Sequence, residues 1–228
     1  MKITSATISK IGRRSNNEDS FKVVEPKDGH RWMGIVCDGM GGHAMGEVAS
    51  ETVINTIVDY WRDAITQNDS EEKVEVACQK AIDALVEKAK MMGVAEMGTT
   101  MVMASLENDT LTVAHVGDSR CYVQRKGEGV LYQTADHTIM SFGWELVSKC
   151  FFSLKPHVAV PEVKRIKVQF GDRILLCSDG LYKSMPPEVL LDLMMEDKTM
   201  DDIIDVYDLM CERNGDDNYT AIMAQIVD

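Results

Sequence analysis

"VCDGMGGHAMGE", residues 36–47, ends an apolar run on Asp38 and gives four of the next eight positions to glycine. Glycine in such a turn lets the backbone approach another group closely or adopt positive φ, so the segment reads as a strand running into a site. A phosphate-cradling P-loop is excluded, because no Lys followed by Ser or Thr comes after the glycines. The dinucleotide fingerprint also fails, since its third glycine would fall on Ala44 after Gly39 and Gly41. What remains is a carboxylate held at a rigid strand end, the placement expected of a metal ligand.

On either side of this segment, short alternating or apolar runs recur at "ITSATIS", "FKVVE", "WMGIVC", "TTMVMASL", "LTVAHVG", "CYVQRK", "GVLYQT", "VKRIKVQF", "RILLCS" and "YTAIMAQIV", or about ten strands. The links "END" (107–109) and "KGEG" (126–129) are short and polar enough for hairpins, which predicts antiparallel pairing. Val53, Ile57, Trp61 and Ile65 predict one long amphipathic helix, and Val74, Cys78, Ala81, Leu85 and Ala89 a second. Two more helices are expected at "SMPPEVLLDLMMED" and "TMDDIIDVYDLMCER", with Ser184 and Thr199 as candidate caps. Strands in blocks with helices in pairs are not βαβ alternation. They predict an α+β fold in layers, with sheets packed on one another and helical pairs on their outer faces.

The 228 residues suffice for one core, and a single domain over 1–228 is expected. With 45% hydrophobic and 27% charged residues the chain reads as globular. A formal charge of −13 argues against nucleic acid or anionic membrane as partner. The six cysteines form no C-x-x-C pair and sit mostly in apolar runs, as buried free thiols do in a reducing compartment. None is followed six positions later by Arg, so a thiol-phosphatase loop is missing. No signal peptide and no run of ~18 apolar residues is evident, so the expected location is the cytoplasm. The 16 methionines fall largely at helical spacing and are read as core filling.

Three segments echo the opening one. "ILLCSDG" brings a strand to Asp179, "AHVGDSR" brings one to Asp118, and "NGDDNYTAIM" sets Asp217 ahead of the last strand. Singly, each is a turn aspartate. Together they would repel one another wherever the strand ends converge, and divalent cations are the simplest remedy. Two cations ~4 Å apart would acidify a shared water and neutralise phosphoryl oxygens.

The ordered set "RRSNNEDS", "CDGMGGHAMGE", "MGTTMV", "VGDSRCYV", "ADHT", "LLCSDGL" and "DDNYTAI" resembles the metal-dependent protein phosphatases of type 2C, the PPM family, and above all its bacterial branch. The resemblance runs from about residue 5 to 227. It implies a sandwich of two antiparallel sheets between pairs of antiparallel helices. It also implies two Mn²⁺ or Mg²⁺ ions, with a weaker third. By that resemblance Asp38 bridges two metals, the Gly39 carbonyl binds one, and Asp179 and Asp217 bind the other. Asp118 helps hold the third with Asp179, while Glu18 and Asp19 order the waters. Arg14 takes the substrate phosphate, with Arg13 as the competing assignment.

Two departures stand out. Met40 occupies the position of a His that many eukaryotic relatives use as the acid; His43 or a water on the metals could serve instead. Residues 138–161 form a shortened, apolar flap, read as covering the core, with contact to a partner as the alternative. Among the other histidines, His115 is read as packed in a strand, His30 and His157 as loop residues, and His137 as part of the "DHT" motif. The expected function is hydrolysis of phosphoserine and phosphothreonine on protein substrates of a Ser/Thr kinase, by a monomer. The rivals are a regulatory module of the same fold that binds phosphoproteins without turnover, and a phosphatase of small metabolites.

Overall fold

A computed structural model of the chain describes residues 1–25, 31–40, 45–63 and 71–227. One five-stranded sheet has the order β1-β14-β13-β7-β8, built from β1 (Lys2–Lys10), β7 (Arg120–Arg125), β8 (Gly129–Gln133), β13 (Arg173–Cys177) and β14 (Tyr219–Val227). The other has the order β12-β6-β5-β3-β2, from β2 (Asp19–Val24), β3 (Arg31–Asp38), β5 (Met101–Glu107), β6 (Thr110–Val116) and β12 (Glu162–Lys167). Every pairing is antiparallel, and both predicted hairpins are present, β5 to β6 and β7 to β8. Two small ribbons complete the strands: β4 (Gly98–Thr99) with β11 (Phe151–Phe152), and β9 (Thr138–Ser141) with β10 (Trp144–Val147).

Strand alternation sorts the side chains into three cores. On β3, Trp32 and Val36 face the other sheet and meet Ile174, Leu176, Ile222 and Ala224 there. The intervening Met33, Ile35 and Cys37 face outward onto α1 (Gly46–Asp63) and α2 (Glu71–Met92). On β14, Tyr219, Ala221 and Met223 likewise face α3 (Asp179–Tyr182), α4 (Pro187–Met194) and α5 (Met200–Asn214). Both faces of each sheet are thus apolar, which gives four layers, αββα. Each fully buried Ile or Leu between the sheets contributes about 2 kcal/mol.

The helical stripes Val53, Ile57 and Trp61, and Val74 through Ala89, are buried as read from their spacing. Ile65, His30 and His43 lie outside the described residues. All six cysteines are free and buried. Thr199 caps α5 in a full capping box with Asp202. Ser184 does not cap α4. Pro186 holds that position, and the Ser184 hydroxyl donates instead to the Gly180 carbonyl, because α3 ends there and its carbonyls need donors. His157 lies in a 3-10 turn, Pro156–Val158, rather than in irregular loop.

The flap also differs from expectation. Its second half packs on the core through Phe151 and Ala159. The β9–β10 hairpin stands off, leaving Met140 71%, Phe142 102% and Trp144 75% exposed. Two strands joined by a tight turn have no third layer to bury against, so apolar composition alone did not place them in the core.

Candidate active site

β3 and β6 run parallel within their sheet, separated by the antiparallel β5, so Asp38 and the turn after Val116 emerge at the same edge. β2 begins there too, with Asp19 opposite Asp38 in register. In the facing sheet, β13 leaves and β14 enters at that edge, since Cys177 pairs with Ala221. A cleft of 590 Å³ opens at this edge, lined by Arg14, Glu18, Asp38, Gly39, Met40, Asp118, Asp179 and Asp217 among others. Asp19 lies buried beside it, and the Ser178 hydroxyl donates to its Oδ2 at 2.7 Å.

Asp38 is gripped through its backbone. Its carbonyl accepts from the Thr100 N–H and the Thr99 hydroxyl, both at 2.8 Å, while its own N–H donates to the Thr100 hydroxyl at 3.1 Å. Gly39 is required sterically: a Cβ there would lie 2.3 Å from the Gly46 carbonyl oxygen. Asn218 ties the Arg14 loop to Asp217. Its amide donates to the Ile11 and Asn16 carbonyls at 2.8 Å, and its Oδ1 accepts the Glu18 N–H at 2.9 Å.

Arg14 reaches into the cleft and donates to Asp217 Oδ2 at 2.7 Å and to the Asp216 carbonyl at 3.2 Å. Arg13 turns away to the Arg213 carbonyl. The Lys183 ammonium pairs with Asp179 at 2.7 Å. Burial pushes the Asp38 carboxyl well above the usual carboxylate range, and Asp19, Asp179, Asp118 and Asp217 push it the same way. Asp19 is raised by burial to about 7, and Asp118 by burial and then Asp179 to about 6. Glu18 is raised by burial and then by Glu47.

The profile of the family described as protein phosphatase 2C matches residues 8–227. The chain belongs to the protein phosphatase 2C family. It is 31% identical to the serine/threonine phosphatase Stp of Listeria monocytogenes serotype 4b (strain F2365), over 93% of this chain and 91% of that protein. Its identity to the serine/threonine protein phosphatase PstP of Mycobacterium tuberculosis is also 31%, over 94% of this chain and 43% of PstP. In three dimensions it superposes on the catalytic domain of PstP, solved in complex with two manganese ions, with a TM-score of 0.82, 29% identity and 99% of each chain covered. The chain is accordingly a metal-dependent serine/threonine phosphatase of bacterial type.

The donor set of this phosphatase suits hard divalent cations. It is all oxygen, crowded with like charge, and includes Asp19 Oδ1, a buried oxygen with no hydrogen-bond partner. Among the described residues, every metal or phosphate ligand named from the sequence either lines the cleft or, as with Asp19, lies directly beside it; Arg13 alone is outside it. Met40 lines the cleft and offers no proton. Sequence reading missed the supports Thr99, Thr100, Ser178, Lys183 and Asn218. Each stands within a quoted motif or next to one, and that adjacency was the only signal available.

Proposed function

We propose that the acids of this cleft hold two Mn²⁺ or Mg²⁺ ions, with Asp38 bridging, the Gly39 carbonyl on one side and Asp179 and Asp217 on the other. Asp118 and Asp179 hold a weaker third ion, and Glu18 and Asp19 order the surrounding waters. When bound, such ions supply an acidified water as nucleophile and neutralise charge on the phosphoryl oxygens. Arg14 exchanges its bond with Asp217 for the phosphate and orients phosphorus for in-line attack. The observation that carries this reading is the convergence of carboxylates from both sheets on one cleft with a guanidinium among them.

The substrates are phosphoserine and phosphothreonine proteins opposed to a Ser/Thr kinase, and residues 1–228 act as one catalytic domain with a shortened flap over 138–161, as a monomer in the cytoplasm. The exposed flap leaves the cleft accessible to a folded phosphoprotein. The test is hydrolysis of a phosphothreonine peptide by metal-stripped protein, with and without Mn²⁺, beside the Asp38→Asn variant. Metal-dependent turnover that falls on the order of 10³-fold in the variant is expected. Peptide binding without turnover would support the regulatory module instead.

A further inference from the structure

A second cluster of donors lies outside the carboxylate cleft. His115 on β6 stands opposite Glu162 on β12 in the strand register. The loop after β8 lays the His137 ring flat on that of His115, with centroids 4.4 Å apart and planes 6° from parallel. The His115 Nε2–H donates to the Ala135 carbonyl at 2.8 Å, which leaves the lone pair on Nδ1. That Nδ1 is buried without a partner, and so is His137 Nε2. Glu162 Oε2 is 3.6 Å from His137 Nε2, and one ligand atom from each of His115, His137 and Glu162 lies within 4.8 Å of the other two.

We propose that His115, His137 and Glu162 form a second cation site, selective for a borderline ion such as Zn²⁺ and distinct from the catalytic cleft. Two imidazoles and one carboxylate are the donor set that Zn²⁺ takes with one position open, whereas Mg²⁺ and Mn²⁺ favour the all-oxygen cleft. Zn–N bonds of about 2.0–2.1 Å require the donors to draw in and the stacked rings to tilt toward a common point. The Glu162 side chain is half exposed and free to swing inward. His137 sets the coupling. Its Nδ1 accepts the Gly117 N–H at 3.2 Å, so in the neutral ring Nε2 carries the proton. A cation at Nε2 needs the lone pair there, so the neutral ring must carry its proton on Nδ1 instead, and the Gly117 N–H contact opens. Gly117 immediately precedes Asp118, so occupation bears on the backbone that aims a cleft carboxylate.

The test is Zn²⁺ uptake by equilibrium dialysis in excess Mg²⁺, with Co²⁺ absorption as a probe of coordination, on the full chain and on an Asp38→Asn, Asp179→Asn double variant. One Zn²⁺ per chain retained by the double variant, with four-coordinate Co²⁺ bands, is expected. Glu162→Gln, at an exposed position that leaves the fold intact by circular dichroism, is expected to weaken uptake at least tenfold. Loss of all uptake in the double variant, or uptake indifferent to Glu162→Gln, would overturn the proposal.

Discussion

Arg14 and Arg13 are adjacent and equally charged; the resemblance assigns the phosphate to Arg14 with Arg13 as the competing assignment, and only Arg14 reaches the carboxylates. Arg14→Ala is expected to remove about 1.5–3 kcal/mol of charged hydrogen bonding, or roughly 10–150-fold in kcat/KM, carried mainly by KM. Arg13→Ala should stay within about twofold, because a surface contact of this kind contributes little. Steady-state kinetics on one phosphopeptide separates the two. Gly180 is a second discriminating position. A Cβ there would sit 1.9 Å from the Asn218 carbonyl oxygen and 3.2 Å from Asp217 Cβ. Gly180→Ala must push apart the two strand ends that present Asp179 and Asp217, with a loss of kcat on the order of 10²-fold.

Among the elements, strand ends and the turns and short helices they run into build the site. β13 terminates two residues before Asp179, which opens the one-turn helix α3, and this directs its carboxylate into the cleft. α5 holds the outer face of the same sheet and begins at the Thr199–Asp202 capping box. Thr199→Ala should cost about 1 kcal/mol and lower Tm by about 2–4 °C. Activity should be unchanged, since the cap is remote from the cleft lining. Thermal unfolding and turnover on the same sample check both halves of that statement. The β9–β10 hairpin shows the opposite case, an element whose apolar residues are not held by any layer but whose Glu145, Leu146 and Val147 edge the cleft.

For the molecule as a whole, the fold drives carboxylates together and so stores a dependence on pH and metal. Unfolded, Asp19 and Asp118 titrate near 4; folded, they titrate at about 7 and about 6. The folded state therefore binds more protons. Stability from these groups is full below the unfolded value and is lost as pH rises through about 6 to 7. Cations bound to the ionised carboxylates offset that loss by mass action. The gap in Tm between Mn²⁺-loaded and EDTA-treated protein should widen from about pH 5 to about pH 8. A gap that stays constant would contradict the proposed ligand set.

The layered α+β class, the two long helices, both hairpins and the four strand-terminal acids were legible in the sequence. Each rests on local periodicity or on a residue forced by a turn. The turn of Arg13 away to the Arg213 carbonyl, the grip of Thr99 and Thr100 on Asp38, the Asn218 staple, the exposed hairpin and the stacked pair of His115 and His137 were not. These join residues up to about two hundred positions apart, as Glu18 and Asn218 are joined. Periodicity records which face of a strand is apolar; which strand ends meet, and which side chains then face one another, is decided only when the two sheets pack.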